Sequence, residues 1–377
     1  MIEGISDILG FPPVKFGFGA IRELAGLSIE RGMARPLIIT DKGLVEHGVL
    51  KKLIDAQPAN FSFVVFDDIP PNPTVAGILA AADVYKAEGC DGIIGLGGGS
   101  VLDSGKALRV AVSHPGPFIS YLKPDAKIGP DVPPYITIPT TAGTGAEITL
   151  ASGIHPDEHT RAIGLRSPYI KPDIAICDPD LTISLPPFLT AATGLDALSH
   201  CLEAYFSVKI DPVLESVAID GLRRIASYIE RATKDGQDRE ARWHMQLAGL
   251  QGGMAIYKGL GPVHAIANTL GDEGLHHGVL CSVATPPVLR FYEGKLDDRL
   301  KCVALALSGS ANINADKAVE NLIDRLELPN SLKKLGYQNR DLENMATDAF
   351  ASYFNKAARH VPSRDDYRMM FAELLDR

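Results

Sequence analysis

The chain has 377 residues, of which 46% are hydrophobic and 22% are charged, and its formal net charge is −9. This length exceeds the roughly 250 to 300 residues that one hydrophobic core organises, so we expect two domains. The acidic balance and the lack of lysine or arginine blocks exclude nucleic acid and anionic membrane surfaces as partners, and favour small molecules.

The cysteines and the first residues bear on the cellular compartment. Five cysteines are widely spaced without a Cys-x-x-Cys pair, which favours reduced thiols over a disulfide scaffold. Residues 1–17 are acidic and broken by prolines, unlike a secretory leader, and no run of about 18 apolar residues follows. We therefore expect a cytoplasmic protein without a membrane segment.

The first half of the chain alternates short runs rich in valine and isoleucine with apolar residues at helical spacing. Strands are predicted at 34–41, 61–67, 91–99, 133–141 and 172–179, and helices at 74–89 and 100–113. Such alternation is typical of βαβ units, so it predicts a parallel sheet with helices on both faces.

The second half changes character after the pair Pro186-Pro187. Long helical periods follow, at 213–234 and 314–326 among others, with few strand-like runs. We therefore predict an α/β domain over 1–185 and a mainly helical domain over 186–377.

The segment DGIIGLGGGSVLDSGKA (91–107) is a buried strand followed by glycines that lead into a helix. Backbone amides at such a junction approach a phosphate closely, and the helix dipole favours its charge, so Gly98, Gly99 and Ser100 suit a pyrophosphate. The dinucleotide fingerprint is imperfect, because Ser100 stands where a third glycine is usual. A turn that only closes a tight connection explains this segment equally well.

Two further strand ends favour a bound dinucleotide. The segment IPTTAGTGAEIT (138–149) offers the hydroxyls of Thr140, Thr141 and Thr144. The strand LIIT ends at Asp41, where a carboxylate would accept hydrogen bonds from an adenosine ribose and repel a 2′-phosphate. A helix N-cap is the slightly favoured alternative for Asp41.

Three histidines and one aspartate form a candidate metal site. In TGLDALSHCLEAYFS, Asp196 and His200 are four residues apart on a predicted helix, so both project from one face. Taken alone, a capping acid and a core histidine explain this pair better. His264 on another helix, with His276 and His277 in a loop, completes a set that suits Fe²⁺ or Zn²⁺.

Four segments in order, GGGSVLDSGKA, IPTTAGTGAEIT, TGLDALSHCLEAY and GPVHAIANTLGDEGLHHG, resemble the iron-containing (group III) alcohol dehydrogenase family over nearly the whole chain. The resemblance implies a dehydroquinate-synthase-like fold. In that fold an N-terminal parallel-sheet domain binds a dinucleotide, and a C-terminal helical domain binds a catalytic metal. It also implies a homo-oligomer, a dimer or larger.

The resemblance also assigns residues. The metal ligands would be Asp196, His200, His264 and His277, with His276 a neighbour and not a ligand. The cofactor would be NAD in preference to NADP. The residues that would contact it are Asp41, Asn72, Gly98, Gly99, Ser100, Asp103, Thr140, Thr141 and Thr144.

Several positions depart from the family pattern. Asn268, a candidate catalytic residue, stands where many relatives have a histidine thought to assist proton transfer; its amide can hold a water or a substrate hydroxyl but does not titrate. Tyr257, Lys258, Cys281 and Thr285 also replace the usual residues. For Lys258 a solvated side chain is favoured over an anchor for an anionic substrate. Together the changes suggest a polar or carboxylated substrate.

The function implied is that of an NAD(H)-dependent, divalent-metal-dependent alcohol dehydrogenase or aldehyde reductase. One alternative is a lyase or cyclase like dehydroquinate synthase, which uses NAD transiently; its sugar-phosphate substrate requires basic residues that are not clustered near these motifs. Another is a metal-free reductase like maleylacetate reductase, against which the intact ligand set argues. A binding module with a purely structural metal is the non-enzymatic alternative.

Overall fold

In this computed structural model the described residues are 10–123, 125–157 and 160–376. They form two compact units. One comprises Phe11–Thr141 and Gly145–Ser184, and the other includes Ala142–Thr144 and the chain from Leu185 onward. The expectation that no secretory leader is present concerns the start of the chain, where residues 1–9 lie outside the described residues.

The first unit is an α/β unit built on a parallel sheet. Within the described ranges the sheet has six strands in the order β1-β8-β5-β4-β2-β3, and β6 and β7 form a separate antiparallel pair. The elements are β1 (Val14–Phe16), α1 (Leu24–Glu30), β2 (Leu37–Ile39), α2 (Lys42–Glu46), α3 (Val49–Asp55), β3 (Val64–Phe66), α4 (Val75–Ala87), β4 (Ile93–Gly97), α5 (Gly99–Ser113), β5 (Tyr135–Pro139), β6 (Ala151–Ile154), β7 (Ile163–Arg166) and β8 (Ile174–Cys177).

The carboxyl ends of neighbouring strands bring three of the segments singled out above to one edge of the sheet. β4 pairs in parallel with both β2 and β5, so the turns after Ile39, Gly97 and Pro139 leave the sheet on the same side. The chain runs from β2 outward to β3 and then crosses back to β4. Such a reversal of strand order is where open α/β sheets bind their ligands.

Two glycines let helix α5 lie close to the sheet. The ring of Tyr135 is fully buried, and its hydroxyl donates to the carbonyl of Leu102 at 2.8 Å. A Cβ at Gly95 or Gly105 would lie 2.5 or 2.3 Å from the Tyr135 hydroxyl oxygen. Glycine is unfavourable inside a helix or a strand, and here it makes room for this ring.

The part of the second unit that the structure describes is helical, apart from an isolated bridge between Ser207 and Ala358. Its central helix is α6, whose residues from Thr190 to Ala204 are all buried; the proline pair of the sequence begins this helix, with Pro187 at its first position. None of the helices in the described residues is long and apolar enough to cross a membrane. The helices are α6 (Pro187–Tyr205), α7 (Pro212–Lys234), α8 (Arg239–Ala255), α9 (Pro262–Thr269), α10 (His277–Phe291), α11 (Asp297–Ser308), α12 (Ala315–Arg325), α13 (Leu342–Ala351) and α14 (Arg364–Asp376).

Candidate functional site

The glycine turn after β4 presents backbone amides at the start of a long helix. Gly98 is the N-cap of α5, and because glycine has no side chain it cannot cap the first amides of the helix itself. The amide of Thr140 donates to the carbonyl of Gly97 at 3.0 Å, and a Cβ at Gly98 would lie 3.1 Å from Cγ2 of Thr141. The two turns are therefore adjacent, and the amides at Gly99 and Ser100 suit a phosphate.

Ser100 and Asp103 are tied into the protein. The Ser100 hydroxyl donates to the carbonyl of Pro71. The two carboxylate oxygens of Asp103 accept from Nζ of Lys106 at 2.9 Å and from the amide of Gly153 at 3.0 Å. Lys106 is fully buried, so this pair fixes the first turns of α5 against the start of β6.

The remaining residues assigned to the cofactor have different surroundings. Asp41 is the N-cap of α2 and accepts from the amide of Leu44 at 2.9 Å, as the favoured alternative expected. Asn72 is exposed in the loop after β3. Thr144 groups with the helical unit.

Glu147, in the segment IPTTAGTGAEIT (138–149), is buried. Burial raises its pKa to about 7, although Lys106 opposes the shift. A raised native pKa means that the folded protein binds more protons than the unfolded chain between about pH 4.5 and 7, so this residue lowers stability as the pH rises through that range.

We therefore expect Glu147→Gln to be more stable than the parent protein at pH 8 by about 2 to 4 kcal/mol, with the difference disappearing near pH 4. Urea unfolding at several pH values measures it. Glu46→Gln, at an exposed position on α2, serves as control. An unchanged pH dependence in Glu147→Gln would show that burial does not perturb this carboxyl.

In the helical unit, Asp196 and the three histidines assigned as ligands come together. Asp196 and His200 lie one turn apart on α6, His264 lies on α9, and His277 is the first residue of α10. Oδ1 of Asp196 lies 3.6 Å from Nε2 of His200 and 3.8 Å from Nε2 of His277. The rings of His200 and His264 stack with their centroids 4.9 Å apart.

The electrostatics of this cluster suit a cation. Oδ1 of Asp196 is buried and has no hydrogen-bond partner among the described residues. Burial opposes ionisation of Asp196, but the surrounding histidines outweigh it and lower its pKa. Burial lowers the pKa of His200 to about 4 and also lowers the pKa of His277. The imidazoles of His200 and His277 are therefore neutral near pH 7, which is the form that binds metals.

Glu203, which the sequence analysis did not single out, orients one of these histidines. Its Oε2 lies 2.7 Å from Nδ1 of His264, and its Oε1 accepts from the amide of Val263 at 2.6 Å. A carboxylate on Nδ1 leaves Nε2 as the ligating atom and fixes the ring. A signal was present, since Asp196, His200 and Glu203 follow at intervals of four and three on one face of α6.

Cys281 also belongs to the cluster. One atom each from Asp196, His264, His277 and Cys281 lie within 4.8 Å of one another. His276 is not in this group; it is the N-cap residue of α10, and its ring meets that of Phe188 edge-on at 6.1 Å.

Two departures from the family pattern have different surroundings. Asn268 is exposed on α9, one turn after His264. Lys258 is buried, with Nζ 2.6 Å from Oε1 of Glu215, so the expectation of a solvated side chain was wrong. The carboxylate of Glu215, which also contacts Arg299 at 3.2 Å, makes burial of the ammonium group tolerable.

The two sites together define a class of protein. A parallel sheet with a glycine turn at its point of strand reversal suits a dinucleotide. Neutral imidazoles around a buried carboxylate suit a divalent cation. Oxidoreductases that combine a nucleotide cofactor with a metal have this pair of features.

Comparison with known proteins identifies the family. Residues 12–179 match the iron-containing alcohol dehydrogenase model, and residues 190–374 match the C-terminal model of the Fe-containing alcohol dehydrogenase family. The chain is 38% identical to 4-hydroxybutyrate dehydrogenase of Cupriavidus necator, over 96% of this chain and 97% of that protein. It therefore belongs to the iron-containing alcohol dehydrogenase family.

The fold of this chain also matches that of solved structures. A 1,3-propanediol oxidoreductase superposes with a TM-score of 0.93 at 30% identity, over 99% of this chain and 100% of the other. A sulfoacetaldehyde reductase from Bifidobacterium kashiwanohense in complex with NAD+ superposes with a TM-score of 0.89 at 25% identity, over 99% of both chains. The family, the fold class and an oxidoreductase activity on CH–OH groups, all expected from the sequence, are confirmed.

Proposed function

We propose that this protein interconverts a small alcohol and its aldehyde with NAD(H) as the hydride carrier and iron or zinc as the metal. The observation that carries this is the buried Oδ1 of Asp196, which has no hydrogen-bond partner in the described part of the chain and lies among the imidazoles of His200, His264 and His277. The NAD+ complex of the sulfoacetaldehyde reductase supports the choice of nucleotide. The same nitrogen and oxygen donors accept Fe²⁺ and Zn²⁺, and the family name favours iron.

Each set of residues has a defined task in this proposal. A divalent cation, when bound by Asp196, His200, His264 and His277, supplies Lewis-acid polarisation of a substrate oxygen. Asp196 supplies the negative charge that offsets the cation, and Glu203 holds the His264 ring with Nε2 facing its neighbours. Nearly half of the His277 side chain is exposed, which leaves a path for substrate.

We assign cofactor binding to the 1–185 domain and metal binding to the 186–377 domain. The amides of Gly99 and Ser100, with Gly98 before them, would bind the pyrophosphate. The hydroxyls of Thr140 and Thr141 and the amide of Asn72 would complete this site. Thr144, which groups with the helical unit, stays a cofactor contact implied by the family resemblance. Asp41 would accept from the ribose and select NAD over NADP. The two carboxylate oxygens of Asp103 accept from Lys106 and from the amide of Gly153. We therefore propose that Asp103 supports the glycine turn and does not contact the cofactor directly.

We propose further that the substrate has a carboxylate. The similarity to a 4-hydroxybutyrate dehydrogenase favours this. Lys258 is not a suitable anchor, because its ammonium group is buried against the carboxylate of Glu215. The exposed amide of Asn268, one turn from His264, is the better anchor.

Asn268→Asp is expected to lower kcat/KM for succinic semialdehyde by at least about 100-fold, and for butanal by less than about threefold. The reason is that the new carboxylate repels a carboxylated substrate and removes its hydrogen bond. Asn268→Ala, which removes the hydrogen bond alone, should cost about 10-fold with the acid. Steady-state NADH oxidation measures both. Equal losses with both substrates would mean that Asn268 does not bind the carboxylate.

We also propose a cellular compartment and an oligomeric state for this protein. All five cysteines are free, which suits a reducing cytoplasm. β1 lies at one edge of the sheet, and an edge strand can pair with a second copy. We propose a homo-oligomer, a dimer or larger, which light scattering measures.

The proposed function is tested with protein stripped of metal and reloaded with Fe²⁺, Zn²⁺ or neither. NADH oxidation is then followed with a panel of neutral and carboxylated aldehydes. Turnover that returns only with metal supports the proposal, and preference for neutral aldehydes would contradict the carboxylated substrate. Metal-independent turnover would favour a reductase like maleylacetate reductase. Absence of net NADH consumption would favour a lyase or a structural metal.

A further inference from the structure

The thiol of Cys281 lies at ligand distance from the histidines of the metal cluster. Its Sγ is 3.5 Å from Nε2 of His277 and 3.9 Å from Nε2 of His264. Two donors bound tetrahedrally to one ion at bond lengths of about 2.0 to 2.3 Å are roughly 3.4 to 3.7 Å apart. The spacing of the sulfur from His277 is therefore that of two ligands of the same ion.

The position of this thiol is set by the backbone. Cys281 follows His277 by four residues on α10, so both side chains project from one face. The start of α10 is in tight contact with α6, since a Cβ at Gly278 would lie 2.2 Å from the carbonyl oxygen of Ala192. Cys281 is fully buried, so its thiol faces the cluster and not solvent.

A second observation points to a ligand at the same place. Asp196 is only 3% exposed, and its Oδ1 has no hydrogen-bond partner among the described residues. This oxygen, one nitrogen each of His264 and His277, and Sγ of Cys281 all lie within 4.8 Å of one another. A single cation would satisfy all four donors.

We propose that Cys281 is an additional, sulfur ligand of the metal, beside Asp196, His200, His264 and His277. This inference rests on the metal site of the proposed function. On binding, a metal–sulfur bond replaces the S–H bond, and the proton is released to solvent. A thiolate is a softer donor than imidazole or carboxylate, so the centre should prefer Zn²⁺ over harder cations more strongly than a site with nitrogen and oxygen donors alone.

Zinc K-edge X-ray absorption of the full-length protein loaded with Zn²⁺ tests the inference. A sulfur shell at about 2.3 Å, beside nitrogen and oxygen at about 2.0 to 2.1 Å, is expected. The sulfur shell should disappear in Cys281→Ser and persist in Cys302→Ser, which changes the exposed thiol on α11. Chelator competition should show at least a tenfold loss of zinc affinity in Cys281→Ser only.

Each other outcome overturns the inference. Bound zinc with only a nitrogen and oxygen shell in the parent protein would exclude Cys281 as a ligand, while leaving the proposed metal-dependent function intact. Failure of the parent protein to bind zinc or iron at all would overturn both. Because the decisive spectrum is that of the parent protein, the test does not depend on the folding of a variant.

Discussion

Asp196→Asn is expected to lower kcat/KM by at least about 10³-fold and metal affinity by at least about 100-fold. The substitution keeps the size of the side chain but removes the negative charge that offsets the cation among the neutral imidazoles of His200 and His277. Polarisation by a bound metal contributes several kcal/mol to catalysis, which corresponds to this loss of rate. Metal content after dialysis and NADH-linked kinetics measure the two effects.

The stability of the metal-free protein separates this explanation from misfolding. Asparagine keeps the size of the buried Asp196 side chain, so the metal-free variant should still fold and show one cooperative unfolding transition like that of the metal-free parent. The rise in melting temperature on adding metal should be lost. The matched control is Asp220→Asn, because the carboxylate of Asp220 accepts hydrogen bonds from Arg224 and Gln251. Equal metal binding by parent and Asp196→Asn would contradict the ligand assignment.

Gly278→Ala is expected to destabilise the protein by about 3 kcal/mol or more and to weaken metal binding. Alanine is the better helix former by about 1 kcal/mol, so propensity alone predicts the opposite sign. The new Cβ would lie 2.2 Å from the carbonyl oxygen of Ala192, and backbone of α6 cannot move aside cheaply. The start of α10, which carries His277, would have to shift.

Urea unfolding and zinc affinity measure this effect. Gly271→Ala is the control, because nothing lies within 4 Å of a Cβ placed there. Full stability of Gly278→Ala would show that α10 and α6 are less tightly packed than the structure indicates.

Some site residues could be predicted from their local pattern, and others could not. Asp196 and His200 are separated by one helical turn, so a shared face follows from the sequence. The contact of Glu203 with His264 joins α6 to α9 across 61 residues of sequence. No local sequence pattern predicts that two residues so far apart in the chain are in contact. The burial of Lys258 could not be predicted for the same reason, because its partner Glu215 lies on α7, 43 residues away in the sequence.

The hairpin of β6 and β7 is a part of the fold that the sequence did not predict. Its strands, ASGI and IGLR, contain small residues and little alternation of apolar and polar side chains, so they lack the signal of a half-buried strand. Its position is set by tertiary contacts, such as the bond from the amide of Gly153 to Asp103 on α5.

By itself, the sequence determined the alternation of strands and helices, the family and the residue types of the metal cluster, because periodicity and ordered motifs are local properties of the chain. The tertiary structure decided which of these residues meet. It paired Glu203 with His264, buried Lys258 against Glu215 and turned Cys281 toward the histidines. The physical reason is that ligation, ion pairing and burial depend on distances between helices, which packing fixes only when the whole chain has folded.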